Sequence, residues 1–286
     1  MPKTWLITGC SRGLGRALAE AVLMAGDNLV ATARKTGEID DLAQKAGDRV
    51  ITLPLDVTDY QAACEAVKAA INAFGRLDVV ANVAGYGNLG PIEDTSIEDF
   101  HAQIETNLFG VINLSKAAIP TMRTQRSGHI VNFSSVGGRV GSTGRAPYSA
   151  AKFAVEGFSE VMATEMAPLG VKVIIIEPGG FRTDFAGSST KISGGRADYD
   201  STVGEAVRFQ RSYNGKQPGD PAKAARVVLE VVGMDGPPFT VQNSNLKLHR
   251  IILGSDAYKI IGSRLDALQA EHKASRDLAY STDFEE

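Results

Sequence analysis

The chain has 286 residues, with 30 basic against 33 acidic side chains and a net charge of -3. A core of that size needs no staples, and the basic residues are too scattered to form an electrostatic footprint for nucleic acid or an anionic membrane surface. Cys10 and Cys64 have neither metal-ligand nor redox-pair spacing, which excludes a disulfide framework and fits a reduced intracellular pair. No apolar run approaches the roughly 18 residues of a membrane span and no signal-peptide pattern opens the chain, so a cytoplasmic protein acting on small molecules is expected.

Residues 4–8 read as a buried strand that runs into a glycine loop and then a helix, with Leu14, Ala17, Leu18, Ala21 and Val22 at helical spacing. Apolar runs at 29–33 and 49–55, each followed by a helical pattern, continue the rhythm of βαβ units. Thr58 with Gln61 and Thr95 with Glu98 have the spacing of capping boxes at two helix starts. Strands at 77–81, 128–134 and 171–177 alternate with two long helices, over 97–124 and 148–168.

No linker, repeat or charge block interrupts this alternation before about Val232. The chain therefore reads as one α/β domain spanning 1–286: a doubly wound Rossmann fold, with a central parallel β-sheet of about seven strands and helices on both faces. Residues 184–217 break the rhythm with Gly, Ser, Asp and aromatic side chains, as a substrate-binding lid would. Asp220 and Pro221 supply an N-cap and a first helical position. Residues 237–286 are the variable C-terminal region, with a candidate seventh strand at 250–253 and a helical tail.

The glycine loop is Thr8-Gly9-Cys10-Ser11-Arg12-Gly13-Leu14-Gly15, placed after the first strand and at the start of the first helix. Gly9 permits a tight turn and Gly13 lets backbone approach a pyrophosphate. Gly15 lets the helix pack closely while its N-terminal amides face the phosphates. A carboxylate at the end of the second strand would select NAD by bonding the ribose 2′-hydroxyl. Ala33 stands there instead, followed by Arg34, and Arg12 faces the same spot, so two guanidinium groups can clamp the 2′-phosphate of NADP(H). Asp56 and Val57 at the end of the third strand, and Asn82, Ala84 and Gly85 at the end of the fourth, face the same crevice. Asp56 is suited to the adenine amino group and Asn82 to bracing the sheet.

Tyr148 and Lys152 lie four apart on one helical face. A cation about 4 Å from a phenol, at an effective dielectric near 20, contributes at most about 4 kcal/mol, enough to bring tyrosine from a pKa near 10 toward neutrality. Ser135, closing the fifth strand, is placed to hold a substrate oxygen, and Asn107 to bend its helix or hold a relay water. Pro178, Gly179 and Thr183 follow the sixth strand, where Thr183 suits the nicotinamide carboxamide. His101, His129, His249 and His272 are dispersed, and no metal site is proposed.

In combination these motifs resemble the short-chain dehydrogenase/reductase family in its compact single-domain branch, from about Thr4 to Val232. Tyr86-Gly87, Asn107 to Gly110 and Ser135 to Gly138 are similar to its hydroxysteroid and retinol dehydrogenase members and their bacterial relatives. The resemblance implies a tetrad of Asn107, Ser135, Tyr148 and Lys152, with Tyr148 and Lys152 also touching the cofactor. Val83 departs from the family's frequent second Asn.

The function expected is an NADP(H)-dependent interconversion of carbonyl and alcohol on a lipophilic small molecule, with an NADP(H)-binding redox-sensing regulator as the alternative. Phe181, Phe185, Tyr199, Phe209 and Tyr213 are candidates for an apolar pocket. The family's habit implies a homodimer or homotetramer through the two long helices, for which Phe153, Val155, Phe158 and Met162 offer an apolar face.

Overall fold

The computed structural model describes residues 1–234 and 248–284. Strand and helix alternate from the start: β1 Thr4–Ile7, α1 Gly13–Met24, β2 Asn28–Ala33, α2 Asp40–Ala46, β3 Val50–Pro54, α3 Tyr60–Phe74 and β4 Val79–Asn82. A short β5 at Gly87–Leu89 precedes α4 Ile97–Ile104, α5 Gly110–Gln125, β6 Gly128–Phe133, α6 Ala146–Met166 and β7 Val171–Pro178. Then come β8 Thr190–Ile192, α7 Glu205–Tyr213, α8 Pro221–Gly233, β9 Leu248–Leu253, α9 Ser255–Ala274 and α10 Arg276–Tyr280.

Seven strands form one parallel sheet in the order β3-β2-β1-β4-β6-β7-β9. Strand order reverses between β1 and β4, which opens a crevice at their carboxyl ends. Successive residues of each strand point to opposite faces, so both faces need an apolar cover. Trp5, Ile7, Ala31, Val79, Val131 and Ile174 pack beneath α1 and α8, while Leu6, Val30, Val80, Ile130 and Ile175 pack beneath α3, α5 and α6. The expected seventh strand exists as β9, pairing with β7 from Val173↔Leu248 to Pro178↔Leu253. The part of the variable region at 237–247 lies outside the described residues.

Neither expected capping box forms among the described residues, and each helix is capped one residue later than expected. The cap of α3 is Asp59, which accepts from the Ala62 amide at 3.0 Å, while the Thr58 hydroxyl turns back to donate to Asp56. The cap of α4 is Ser96, accepting from the Asp99 amide at 3.1 Å, while the Thr95 hydroxyl donates to the Pro91 carbonyl. Asp220 caps α8 as expected. The long helix expected over 97–124 is continuous but contains one wide turn, Glu105–Phe109, with i→i+5 geometry around Asn107.

Of the four residues expected on an assembly face, Val155 and Met162 are buried in the chain's own core and Phe158 packs against it. Phe153 alone of the four stays open, at 47% exposure. Among the described residues no helix is long and apolar enough to cross a membrane.

A chain of buried amides and hydroxyls ties the layers together. Asn82 Nδ2 donates to Asn132 Oδ1 at 2.8 Å and to Ser115 Oγ at 3.1 Å, and Asn132 Nδ2 donates to Ser159 Oγ at 2.8 Å. Asn132 thus joins β4 and β6 to α6. Asn132→Ala leaves buried donors and acceptors unmatched, at about 1–3 kcal/mol per orphaned group, so a loss of about 2–4 kcal/mol is expected in urea unfolding; a loss below about 1 kcal/mol would show that water replaces the amide.

Candidate active site

A cleft of about 700 Å³ runs along the carboxyl edge of the sheet. Its floor begins at the glycine loop. Gly9 and Gly13 have φ of +72° and +61°, and a Cβ on Gly15 would stand 2.3 Å from the Gly9 carbonyl oxygen. The first turn of α1 therefore folds against the loop that precedes it, which only glycine permits. Thr8 Oγ1 accepts from the amides of Val83 and Ala84 at 2.9 and 3.0 Å, fastening the turn after β4 to the glycine loop.

The structure gathers Ser11, Arg12, Gly13, Leu14, Arg34, Asp56, Val57, Ala84 and Gly85 along one end of this cleft. Arg12 and Arg34 are exposed and neither forms an ion pair among the described residues. Glu38, from the turn after β2, adds one carboxylate to the same end; the sequence reading did not single it out. Asn82 braces the sheet as expected, its amide bonded to Asn132 and Ser115 beneath the cleft, but contrary to its expected place among the cofactor-binding residues it does not line the cavity.

Asn107, Ser135, Tyr148, Lys152, Pro178, Gly179 and Thr183 line the same cleft, so all four tetrad positions share it. Tyr148 sits in the first turn of α6, where the rigid Pro147 precedes it. Ser135 begins the turn after β6 and accepts from the Gly137 amide at 3.0 Å. Asn107 lies in the wide turn; its Nδ2 donates to the Tyr86 carbonyl at 3.1 Å and to Gln103 Oε1 at 2.8 Å, and its Oδ1 accepts from the Tyr86 amide at 3.3 Å. The side chain is thus committed to holding Tyr86. A Cβ on Gly85 would stand 2.5 Å from that Oδ1 and 3.9 Å from Lys152 Nζ.

Electrostatics here differ from the sequence expectation. Burial holds the Tyr148 phenol above its ordinary pKa, and the groups that pull it back are the Ser135 hydroxyl and the charge of Arg145. Lys152 donates from Nζ to the Phe133 carbonyl at 2.7 Å, and Nζ stands 5.8 Å from the centroid of the Tyr148 ring. Burial pushes its own pKa down to about 8, with Glu156 acting the other way. The cation opposing burial at the phenol is therefore Arg145, one turn earlier, while Lys152 is anchored to the sheet edge.

The segment 184–217, expected as a substrate-binding lid, carries regular structure. It contains β8, paired in parallel with β5 from Gly87↔Thr190 to Leu89↔Ile192, and α7. Phe185 packs on Tyr148 at 5.5 Å between ring centroids, and Phe209 stacks on Tyr213 at 5.0 Å. Asp256 at the start of α9 accepts from the Gly180 amide at 2.7 Å and from the Tyr213 hydroxyl at 3.2 Å. Tyr86, Arg145, Gln210, Asp256 and Ile260 also line the cleft, and sequence reasoning had assigned none of them to it as site residues.

The comparisons agree with this geometry. The family model described as short chain dehydrogenase matches residues 3–193, and the chain belongs to the short-chain dehydrogenase/reductase family of oxidoreductases. It is 44% identical over 283 residues to oxidoreductase BOA17 of Botryotinia fuckeliana, covering 99% of this chain and 100% of that one. A crystal structure of a short-chain dehydrogenase from Streptomyces avermitilis superposes with a TM-score of 0.88 at 37% identity, covering 99% of this chain and 100% of the other. Retinol dehydrogenase 8 of Bos taurus is 34% identical over 257 residues, covering 83% of this chain and 80% of its own.

The buried ammonium has a measurable signature. Unfolded, Lys152 keeps its proton to a pH near 10.4, whereas in the folded chain it releases it near 8. Between these values the unfolded state binds more protons, so the lysine's contribution to stability rises with pH, by up to about 3 kcal/mol. The stability of wild type relative to Lys152→Met should move in favour of wild type across this window; a difference that stays flat in pH-dependent urea unfolding would mean the amine is not desolvated.

Proposed function

We propose that the chain is an NADP(H)-dependent oxidoreductase interconverting a carbonyl and an alcohol on a largely apolar small molecule, with Asn107, Ser135, Tyr148 and Lys152 as its working residues. The observation that carries the cofactor assignment is the pair of unpaired guanidinium groups, Arg12 and Arg34, flanking the end of β2, where Ala33 leaves no carboxylate. The carboxylates of Glu38 and Asp56 share this end, but Asp56 is turned to the Thr58 amide and hydroxyl, and two guanidinium groups with no ion pair among the described residues favour a ligand with an extra phosphate.

The residues present fit a dinucleotide. Gly9 and Gly13 turn the loop with positive φ, Gly15 lets α1 close against the Gly9 carbonyl, and the start of α1 lines the cleft where its amides would meet a pyrophosphate. Pro178, Gly179 and Thr183 would hold the nicotinamide end, with Asp56, Val57, Ala84 and Gly85 along the adenosine half. Bound there, the dinucleotide supplies or accepts the hydride.

The chain's own residues handle the oxygen. Ser135 is placed to hold the substrate oxygen by its hydroxyl, and Tyr148 moves a proton to or from that oxygen at its phenol. A phenol held above its ordinary pKa is protonated at neutral pH, which suits it to donating a proton as a carbonyl is reduced. Lys152 keeps a positive charge close behind it, and Asn107 fixes Tyr86 on the opposite wall. Leu89, Phe185, Phe209 and Ile260 give the substrate end apolar walls, in keeping with the similarity to a retinol dehydrogenase. A regulator that only senses the cofactor would have no use for this proton-handling set.

Tyr148→Phe should lower kcat by at least 1000-fold while leaving NADPH affinity within about threefold, read by steady-state kinetics and fluorescence titration. Retained turnover would end the assignment of the proton to this phenol. Arg12→Ala and Arg34→Ala should each reduce kcat/KM for NADPH by about 10–100-fold, the worth of a charge-assisted phosphate contact of about 1.5–3 kcal/mol. Neither should reduce the value for NADH, and equal losses for both cofactors would point to a general role in folding the loop.

A further inference from the structure

The cleft holds a cation whose charge acts on the Tyr148 phenol but whose hydrogen-bond donors the proton chemistry leaves unclaimed. Arg145 lies at the start of α6, three residues before Tyr148, and lines the substrate end of the cavity. Its guanidinium bonds only neutral oxygens: Nη1 donates to the Asn88 carbonyl at 3.4 Å and Nη2 donates to Gln210 Oε1. Two of the five donors of a guanidinium are thereby engaged. Gln210 is itself buried and held by its Nε2 donating to the Ala186 carbonyl at 3.1 Å, so its oxygen is fixed toward the arginine.

Among the described residues Arg145 has no carboxylate partner. Other partly buried arginines behave differently. Arg16 ends on Asp41 and Glu20, Arg139 on Glu177 at 2.8 Å, and Arg250 on Glu156 at 3.1 Å. Burial lowers the pKa of Arg145, and the one titratable neighbour that favours its charge is the Tyr148 phenol. A guanidinium withdrawn from water without a counter-charge is costly. The fold nevertheless makes room for it: a Cβ on Gly87 would stand 3.1 Å from both Arg145 Nη1 and Phe185 Cζ. The free donors therefore share the cavity with the ring that packs on Tyr148.

The geometry points to a substrate that carries a carboxylate on its apolar body, with the carboxylate docking on Arg145 and the reacting oxygen lying at Tyr148 and Ser135. This rests on the carbonyl–alcohol reading above and adds the class of molecule it acts on. A planar carboxylate matches the unclaimed fork of the guanidinium in two parallel bonds, while the apolar walls take the hydrocarbon part. Neutral carbonyl compounds of the same shape would leave the cation uncompensated and bind less well.

The test needs no turnover. Binding of cyclohexanecarboxylate and of its methyl ester to the NADPH-loaded protein, and to the cofactor-free protein, is measured by NMR titration or calorimetry. The acid is expected to bind at least tenfold more tightly than the ester, Arg145→Met to erase that ratio, Arg145→Lys to keep part of it, and Tyr148→Phe to keep it whole. An ester that binds as well as the acid overturns the proposal, as does a ratio that survives Arg145→Met. If Arg145→Met does not fold, the wild-type ratio decides alone. Should Arg145 serve only to tune the phenol or brace Gln210, the ratio stays at one. Failure of the hydride-transfer reading is separate, because it appears as turnover retained by Tyr148→Phe and leaves the acid–ester ratio untouched.

Discussion

The polar groups of the cleft gather around the carboxyl edge of one parallel sheet, and the reversal of strand order between β1 and β4 keeps that edge open. To the left of the reversal, helix α1 and its glycine loop turn backbone amides toward the opening; to the right, the turns after β6 and β7 deliver hydroxyls and side chains. The two halves are not independent. Thr8 Oγ1 binds the turn after β4 directly to the glycine loop, and a Cβ on Gly13 would stand 3.5 Å from Thr183 across the cleft. A change in either half's backbone is therefore felt by the other.

Behind Tyr148 the sheet edge carries an unusual density of buried charge. Lys152 rests on the Phe133 carbonyl, and Glu156 lies one turn further along α6, bonded by Arg250 of β9. Glu177, fully buried at the end of β7, receives Arg139 at 2.8 Å and Arg250 at 3.4 Å. Burial and the like charge of Glu177 push the Glu156 carboxyl upward, and Ser134 and Arg250 oppose this. Such clusters seldom repay their desolvation as stability. What this one achieves is alignment: α6, β7 and β9 share a common set of charges, so Tyr148 and Lys152 are held on a helix that cannot slide relative to the turns after β6 and β7.

Most of this could be read from the chain because the deciding signals are local. A strand followed by Gly9, Gly13 and Gly15, or a tyrosine and lysine four apart after Pro147, fixes its own geometry within one turn of backbone. The caps failed by one position for an equally local reason. At both helix starts two adjacent residues offer suitable oxygens, and the threonine hydroxyls turn instead to the Asp56 carboxylate and the Pro91 carbonyl. Arg145, Asp256 and the commitment of Lys152 to Phe133 were illegible because their meaning comes from partners 19 to 76 residues distant. Val155 and Met162 follow the same rule: helical spacing marks an apolar face, but only packing says whether the chain or a neighbour covers it.

Asp256 shows how the C-terminal part of the chain reaches the polar groups of the sheet edge. One carboxylate oxygen accepts both from the Gly180 amide, in the turn that follows β7, and from the hydroxyl of Tyr213, at the end of α7. A Cβ at 179 would stand 2.3 Å from the carboxylate and one at 180 would stand 2.4 Å from that hydroxyl, so a side chain at either position would have to displace Asp256 or Tyr213. Tyr213 in turn stacks on Phe209, an apolar wall of the substrate end. Helix α7, the turn proposed to hold the nicotinamide and the C-terminal helix are thus joined through a single acceptor. Sequence changes in α9 that move Asp256 would reshape the substrate wall and the cofactor turn together, which gives the C-terminal segment a direct physical route to selectivity without touching the glycine loop or the tyrosine.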